Sequence, residues 1–318
     1  MALVVDDLTV HYRTLRGPVR ALDGASFALA DGEIMGLAGE SGCGKTTLGT
    51  SLIRLVAPMT FVSGRVELDG AELPVWDDQR MRRFRFADVS LIPQYAMSAM
   101  NPTRRIGRMT TELLRARGIS FREVAAELRT RLDLVGLSAD VLGMYPIELS
   151  GGMRQRMVMV LATLLNPSLL IADEITSALD VSSQRAVAEL VTEFRDRGWV
   201  RSVIFITHDV AVLAQIADTV MVMYAGRLAE KAPTRELIDR PKHPYARMLI
   251  DALPEMGVRH ADQRLAGIPG TPPGLLDPPD GCRFRDRCPL AVDRCAEQPP
   301  LVEVDRGHAT ACWRWEEV

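Results

Sequence analysis

Residues Gly39-Glu40-Ser41-Gly42-Cys43-Gly44-Lys45-Thr46 constrain this chain more than any other stretch. Their spacing is G-x-x-x-x-G-K-[ST], a loop that holds phosphate on backbone N–H groups and needs a strand before it and a helix after it. Both are expected here. Glu33 to Ala38 reads as a short buried strand, and Thr47 to Leu55 reads as a helix with an apolar face. Gly39, Gly42 and Gly44 let the backbone turn tightly enough for successive N–H groups to converge on one anion. The following helix adds its positive dipole end. Lys45 can reach the outer phosphates and the Thr46 hydroxyl can hold Mg²⁺, with Ser41, Cys43 and Thr47 in the same cradle. A chance glycine turn would not bring the lysine, the hydroxyl and both flanking elements with it. The chain is expected to bind a nucleoside triphosphate on an α/β core.

At 318 residues there is room for more than one domain, or for one large domain with an appendage. A net charge of −3 does not ask for nucleic acid as the main partner. No run approaches the roughly 18 apolar residues of a membrane span. The start, Met1 to Asp7, lacks the basic region and cleavage site of a signal peptide. A cytosolic protein is expected, one that can still sit against a membrane protein.

Leu3 to Leu37 alternates apolar and polar residues around turn signals at Arg16-Gly17-Pro18 and Asp31-Gly32, which predicts antiparallel strands leading into the phosphate-loop strand. Tyr12 could lie under an adenine ring or simply pack across strands. Gly64 to Gly70 reads as an edge hairpin strand. Val89 to Gln94 reads as a second buried strand, and its terminal Gln94 stands where open α/β sheets place ligand contacts. Tyr95 to Asn101, rich in Met and small residues, reads as a docking loop. Ile106 to Gly136 shows helical spacing through Leu113, Leu114, Val124, Leu128 and Leu132, within an inserted helical subdomain at about 100–165. Ser150-Gly151-Gly152 then opens a helix running through Leu165, with Ser150 as N-cap and bare glycine amides. One nucleotide seldom needs two such helix starts. The surplus suggests a site shared between two chains.

Ser168 to Glu174 is an apolar run closing on two carboxylates, with Asp173 placed for Mg²⁺ and Glu174 placed to polarise a water. Ser177-Ala178-Leu179-Asp180 follows as a turn. Ser202 to Asp209 predicts another buried strand, with His208 at its end. Gln94, Asp173 and His208 would then emerge together.

The phosphate loop, Gln94, Leu149-Ser150-Gly151-Gly152-Met153-Arg154-Gln155, Asp173-Glu174, Ser177 to Asp180 and His208 occur in the order found in ABC transporter ATPase subunits, and the resemblance covers about residues 1–250. It implies an ABC ATPase fold: a phosphate-loop core sheet, an antiparallel β subdomain and the helical insertion, over 1–254. It implies a head-to-tail dimer with ATP between one chain's phosphate loop and the other's Ser150, Gly151, Gly152 and Gln155. The implied roles are Tyr12 stacking adenine, Lys45 and Thr46 on phosphates and metal, and Gln94 sensing metal and water. Asp173 would hold Mg²⁺, Glu174 would be the general base and His208 would contact the γ-phosphate. Ile175 departs from the family's usual proline, which mainly stiffens that turn, so a modest effect is expected. A soluble, non-transport ABC ATPase would need a long coiled coil or two cassettes, and an iron–sulfur sensor with a merely structural nucleotide site would not need Glu174.

His243-Pro244-Tyr245-Ala246-Arg247-Met248-Leu249, Ala252-Leu253-Pro254, Ile268-Pro269-Gly270-Thr271-Pro272-Pro273 and Gly281-Cys282-Arg283-Phe284 resemble the tail of oligopeptide and dipeptide importer ATPases. That resemblance implies two membrane permease subunits, an extracytoplasmic substrate-binding protein and a non-identical sister ATPase, at the cytoplasmic face of the inner membrane. Relatives of this type also serve nickel complexes, opines and glycosides.

Pro- and Gly-rich residues 255–281 read as a linker inside a 255–318 extension. Cys282, Cys288, Cys295 and Cys312 follow, with five, six and sixteen residues between them. This spacing is poor for a zinc knuckle and compatible with a four-iron four-sulfur cluster. The importer resemblance also points to the cluster. Zinc, and free or disulfide-linked thiols, remain the alternatives.

Overall fold

The computed structural model describes residues 1–94, 99–177, 179–252 and 267–318. Strands β1 (Leu3–Thr14) and β2 (Gly17–Leu29) pair antiparallel, as their alternation predicts, and lead into β3 (Ile34–Ala38). Every β3 residue is buried, so the strand is apolar on both faces and suits the middle of a parallel sheet. The helix after the phosphate loop is α1 (Lys45–Ser51). It stops short of Leu55 because Ile53 N–H bonds the Thr50 carbonyl at 3.1 Å, tightening the last turn as the chain swings towards β4 (Met59–Leu68). Strand β4 is not an edge strand. It lies between β1 and the two-residue β5 (Ala71–Glu72), completing a four-stranded antiparallel sheet.

After the short α2 (Asp78–Met81) comes β6 (Val89–Ile92). The expected helical block divides into α3 (Ile106–Arg115) and α4 (Phe121–Leu134). Gly118, at φ +70°, allows the break. Ser120 and Glu123 then form a reciprocal capping box that restarts the helix. Leu114, Leu128 and Leu132 are buried as predicted, but Leu113 is 41% exposed because it falls beside the apolar stripe. Ser150 caps α5 (Gly151–Thr163), which precedes β7 (Leu169–Asp173). The chain continues through α6 (Val181–Asp196), β8 (Ser202–Ile206), α7 (Val210–Ile216), β9 (Thr219–Tyr224) and β10 (Arg227–Pro233). Helices α8 (Thr234–Asp239) and α9 (Pro244–Asp251) close this part. Leu253 and Pro254 of the tail motif lie outside the described residues.

The main sheet runs β11-β12-β10-β9-β3-β8-β7-β6, with β6, β7, β8, β3 and β9 parallel. Strands β11 (Val302–Asp305) and β12 (His308–Thr310) belong to the cysteine-bearing stretch. That stretch is therefore no detached appendage, because β12 hydrogen-bonds to β10 and carries the sheet outward by two strands. The remainder of 267–318 is turns and single 3₁₀ turns at Arg285–Arg287, Asp293–Ala296 and Trp315–Glu317.

Candidate active site

Strand β3 delivers the phosphate loop at its carboxyl end, where an open parallel sheet places ligands. Two glycines are dictated by close backbone approach. At Gly39 (φ +145°) a Cβ would lie 2.3 Å from the Met223 carbonyl, and at Gly44 (φ +109°) it would lie 2.3 Å from the Ala21 carbonyl. Gly44 is also the N-cap of α1 and offers no side-chain cap, so the first amides of that helix face outward for an anion. Lys45 is buried, and its Nζ donates to the carbonyls of Gly39 at 2.7 Å and Glu40 at 3.2 Å, fixing the loop's curvature. Cys43 packs beneath the loop as a small buried filler, and burial pushes its thiol pKa up.

Above the loop is a pocket of about 380 Å³, within the range of small-molecule sites. Ser41, Gly42, Gly44, Lys45, Thr46 and Thr47 line its phosphate end, and Gln94 and Glu174 close one side. Tyr12 also lines the pocket, and its hydroxyl lies 3.2 Å from Thr47 Oγ1.

Three neighbouring parallel strands, β6, β7 and β8, bring the remaining side chains to the same edge. The Thr46 hydroxyl donates to Asp173 Oδ1 at 3.1 Å. Burial raises the Asp173 pKa to about 6, the Thr46 hydrogen bond opposes this, and the Glu174 charge adds to it. A buried carboxylate beside a hydroxyl is a hard-oxygen donor pair that fits Mg²⁺. Glu174 stands in the left-handed region at φ 46°, its N–H held by the Ile206 carbonyl at 2.9 Å. Such backbone strain collects at functional sites. Gln94 Nε2 donates to Glu174 Oε2 at 2.7 Å, and His208 Nδ1 lies 4.0 Å from the same oxygen. His208 is 56% exposed and is not part of the pocket wall. It sits beside Glu174 rather than over the phosphate loop.

Ser150, Gly151 and Gly152 do not line this chain's pocket. The Ser150 hydroxyl accepts from Met153 N–H at 3.3 Å, so this helix start is already partly capped. Gln155 does not serve as a nucleotide contact within the chain. It is buried, and its Nε2 donates to the Ile175 carbonyl at 2.6 Å. That bond braces the turn after Glu174, where a proline was expected to stiffen it. Glu40, Tyr245, Leu275 and Arg287 went unnoticed in sequence. Glu40 is a free position of the loop pattern, and the others lie more than 190 residues away in a tail whose motifs carried no chemistry of their own.

Cys282, Cys288, Cys295 and Cys312 all line one small pocket with His243 and Phe284, and Cys282 N–H bonds the Cys295 carbonyl at 3.0 Å. The thiol-only donor chemistry suits a metal–thiolate group. The arrangement does not close around one: among the described residues no three or more His, Cys, Asp or Glu side chains stand where they could hold a metal ion. Burial raises the pKa of Cys282 and Cys312 to about 11 and that of Cys288 upward. All are free rather than disulfide-linked.

Among the described residues no helix is long and apolar enough to cross a membrane. A family model for "ABC transporter" matches residues 22–177, and one for "Oligopeptide/dipeptide transporter, C-terminal region" matches residues 229–295. The dipeptide transport ATP-binding protein DppD of Bacillus subtilis is 40% identical over 98% of this chain and 94% of its own length. The protein of the same name from Caldanaerobacter subterraneus is 37% identical over 98% of this chain and 97% of its own. A solved ATP-binding cassette, dimeric and bound to ADP and phosphate, superposes with a TM-score of 0.63 at 20% identity. It covers 73% of this chain and 99% of that one, a likeness that establishes the fold. With the phosphate loop, Asp173 and Glu174 converging in one pocket, the chain belongs to the ATP-binding subunits of ABC transporters, in the oligopeptide/dipeptide group, and is an ATPase.

Proposed function

We propose that this ATPase powers a peptide importer, and that ATP is hydrolysed between its phosphate loop and the Ser150-Gly151-Gly152 helix start of a second ATPase chain. The observation that carries the shared site is the second helix start, which does not line this chain's own pocket. The reading takes peptide cargo from the relatives' names and the tail match. It assigns two permease subunits and an extracytoplasmic binding protein as partners, the inner face of the cell membrane as location, and a non-identical sister chain as dimer partner. Nickel complexes, opines or glycosides would use the same machinery. The docking loop expected at Tyr95 to Asn101 lies mostly outside the described residues, as does Ala178 of the Ser177–Asp180 turn.

The proposed division of labour draws on the pocket lining together with the resemblance to ABC ATPases. Mg²⁺ held by Thr46 and Asp173, with Gln94 beside it, would supply charge neutralisation at the outer phosphates. Loop amides and the α1 start bind the phosphates, and Lys45, anchored by two carbonyls, holds its ammonium towards them. Tyr12 stacks on the base. Glu174 takes the proton of the attacking water and Gln94 orients its carboxylate. His208, 4.0 Å from Glu174 and outside this chain's pocket wall, is assigned the γ-phosphate contact on the family resemblance alone. Closing the two-chain sandwich on ATP and opening it after hydrolysis would move the permease.

The test is hydrolysis by the purified subunit with and without its sister chain and permease, in Glu174→Gln and Ser150→Arg variants. A rate that depends on protein concentration is expected, as is partial recovery when inactive Ser150→Arg and Glu174→Gln chains are mixed, because one of the two sites then has both halves intact. Concentration-independent turnover would rule out the shared site.

For the cysteines the proposal is a four-iron four-sulfur cluster of structural role, with zinc as the alternative. Its support is one pocket lined by thiols from four separated positions. Anaerobic purification with iron, sulfide and zinc analysis decides it. Iron and sulfide in equal amounts, lost in Cys288→Ser, are expected; a preparation without metal sinks the cluster.

A further inference from the structure

We infer that Leu275 and Arg287, both in the C-terminal stretch, complete this chain's own ATP site: Leu275 as an apolar wall at the base end, Arg287 as a positioning residue for the phosphate loop. The inference rests on the ATPase assignment and not on the importer reading.

Leu275 lines the nucleotide pocket beside Tyr12, Val19 and Ala21. These four are the aromatic and apolar members of the pocket lining, and they offer a planar base an apolar surface. The position of Leu275 is set by backbone pairing, because Arg20 N–H of β2 donates to the Leu275 carbonyl at 2.7 Å. The β2 strand therefore carries both Val19 and Ala21 and the segment that faces them. Truncating Leu275 removes apolar area from this lining and leaves every backbone amide of the phosphate loop in place.

Arg287 acts at the other end, through Glu40. Its Nη1 and Nη2 donate to the two Glu40 carboxylate oxygens at 2.7 and 3.0 Å, a bidentate fork. The remaining donors reach the Tyr224 hydroxyl at 3.1 Å, the Ile268 carbonyl at 3.1 Å and the Pro269 carbonyl at 2.7 Å. Every N–H direction of the guanidinium is thereby used, and the side chain is 5% exposed. Glu40 is the second residue of the phosphate loop and is held at two further points. Its N–H donates to the Tyr245 hydroxyl at 2.7 Å, and its carbonyl accepts from Lys45 Nζ at 3.2 Å. Arg287 thus fixes a residue whose backbone in turn fixes the phosphate-binding lysine. A surface ion pair would not need five donors and near-complete burial.

The test uses the full-length protein, with equilibrium binding of Mg-ATP and of inorganic tripolyphosphate measured beside steady-state ATPase and metal content. Leu275→Ala is expected to weaken ATP binding about five- to tenfold, with tripolyphosphate binding unchanged. Arg287→Ala is expected to raise KM for ATP about tenfold and weaken tripolyphosphate alike, with Arg287→Lys recovering only part because it cannot form the fork. Glu40→Gln, remote in sequence from the cysteines, should reproduce the KM increase even if Arg287→Ala fails to fold. Combined with Arg287→Lys, it should add little further. Unchanged ATP affinity in Leu275→Ala, or an equal loss for tripolyphosphate, overturns the base-wall role. Lowered thermal stability with KM unmoved in Arg287→Lys and Glu40→Gln overturns the positioning role. A wild-type chain that binds no ATP would instead overturn the ATPase assignment itself.

Discussion

The parallel core and the cysteine-bearing stretch are held together by different physics. In β3, β7 and β8 every residue is buried, and stability comes from many interchangeable apolar contacts on both faces of the sheet. Residues 267–318 have little regular structure and are pinned by a few directional anchors. Phe284 is buried against Tyr224 and Tyr245, with ring centroids 5.1 and 5.3 Å away. Arg283 reaches the Ala225 carbonyl and Asp23, and Arg287 reaches Glu40. A core built on area spreads the effect of a substitution. A stretch built on anchors concentrates it in three or four side chains.

The largest effect should come from breaking chemistry without touching either packing scheme. Glu174→Gln keeps the shape of the side chain but removes the base, and turnover should fall roughly 10²- to 10⁴-fold with ATP affinity retained. Single-turnover hydrolysis beside ATP binding checks this. Phe284→Ala should break the contrast at its sharpest point, costing about 3–5 kcal/mol of anchoring. Hydrogen exchange should quicken in β12 and residues 281–296 while β3 and β8 stay protected. Uniform loss of protection would show that the two regions unfold as one.

A pH series gives the next largest effect. His243 is fully buried, its Nδ1 accepts Tyr245 N–H at 3.0 Å, and burial lowers its pKa to about 4. The unfolded chain, with a histidine near 6.5, therefore takes up more protons between these values. Stability from this residue is whole above about pH 6.5 and declines as the pH falls towards 4, by roughly 3 kcal/mol in all. Urea midpoints between pH 7.5 and 4.5 should show that slope, and His243→Asn, which can still cap α9, should flatten it. The smallest effect lies at an exposed helix cap outside both regions. Ser150→Ala removes the α5 cap and should cost about 1 kcal/mol, read as a shift in the urea midpoint of the isolated subunit.

The core was legible in the sequence because its signals are local. An apolar run followed by a polar residue marks the carboxyl end of a buried strand, and Gln94, Asp173 and His208 were each read that way. The phosphate loop declares itself through its glycines. Pairings across long separations leave no such trace. Nothing near Arg287 points to Glu40, 247 positions earlier, and nothing near His308 points to the buried Glu230 that it meets at 2.6 Å. The Gln155 bond to the Ile175 carbonyl is of the same kind: nothing in the sequence around either residue announces it. Leu113 shows the limit of periodicity, since one step around a helix separates the stripe from solvent.

The β11–β12 hairpin has a consequence for how this chain behaves at high concentration. Without it, β10 would end the sheet with a seven-residue row of open N–H and C=O groups, a template for another copy to pair with. With it, the outermost strand is the four-residue β11, which carries exposed Glu303 and Asp305, and Asp305 lies 3.0 Å from Lys242. A short, charged rim pairs poorly with its own kind. The cysteine-bearing stretch thereby doubles as protection against self-association, and a chain cut before Val302 should aggregate even where its ATP site folds intact.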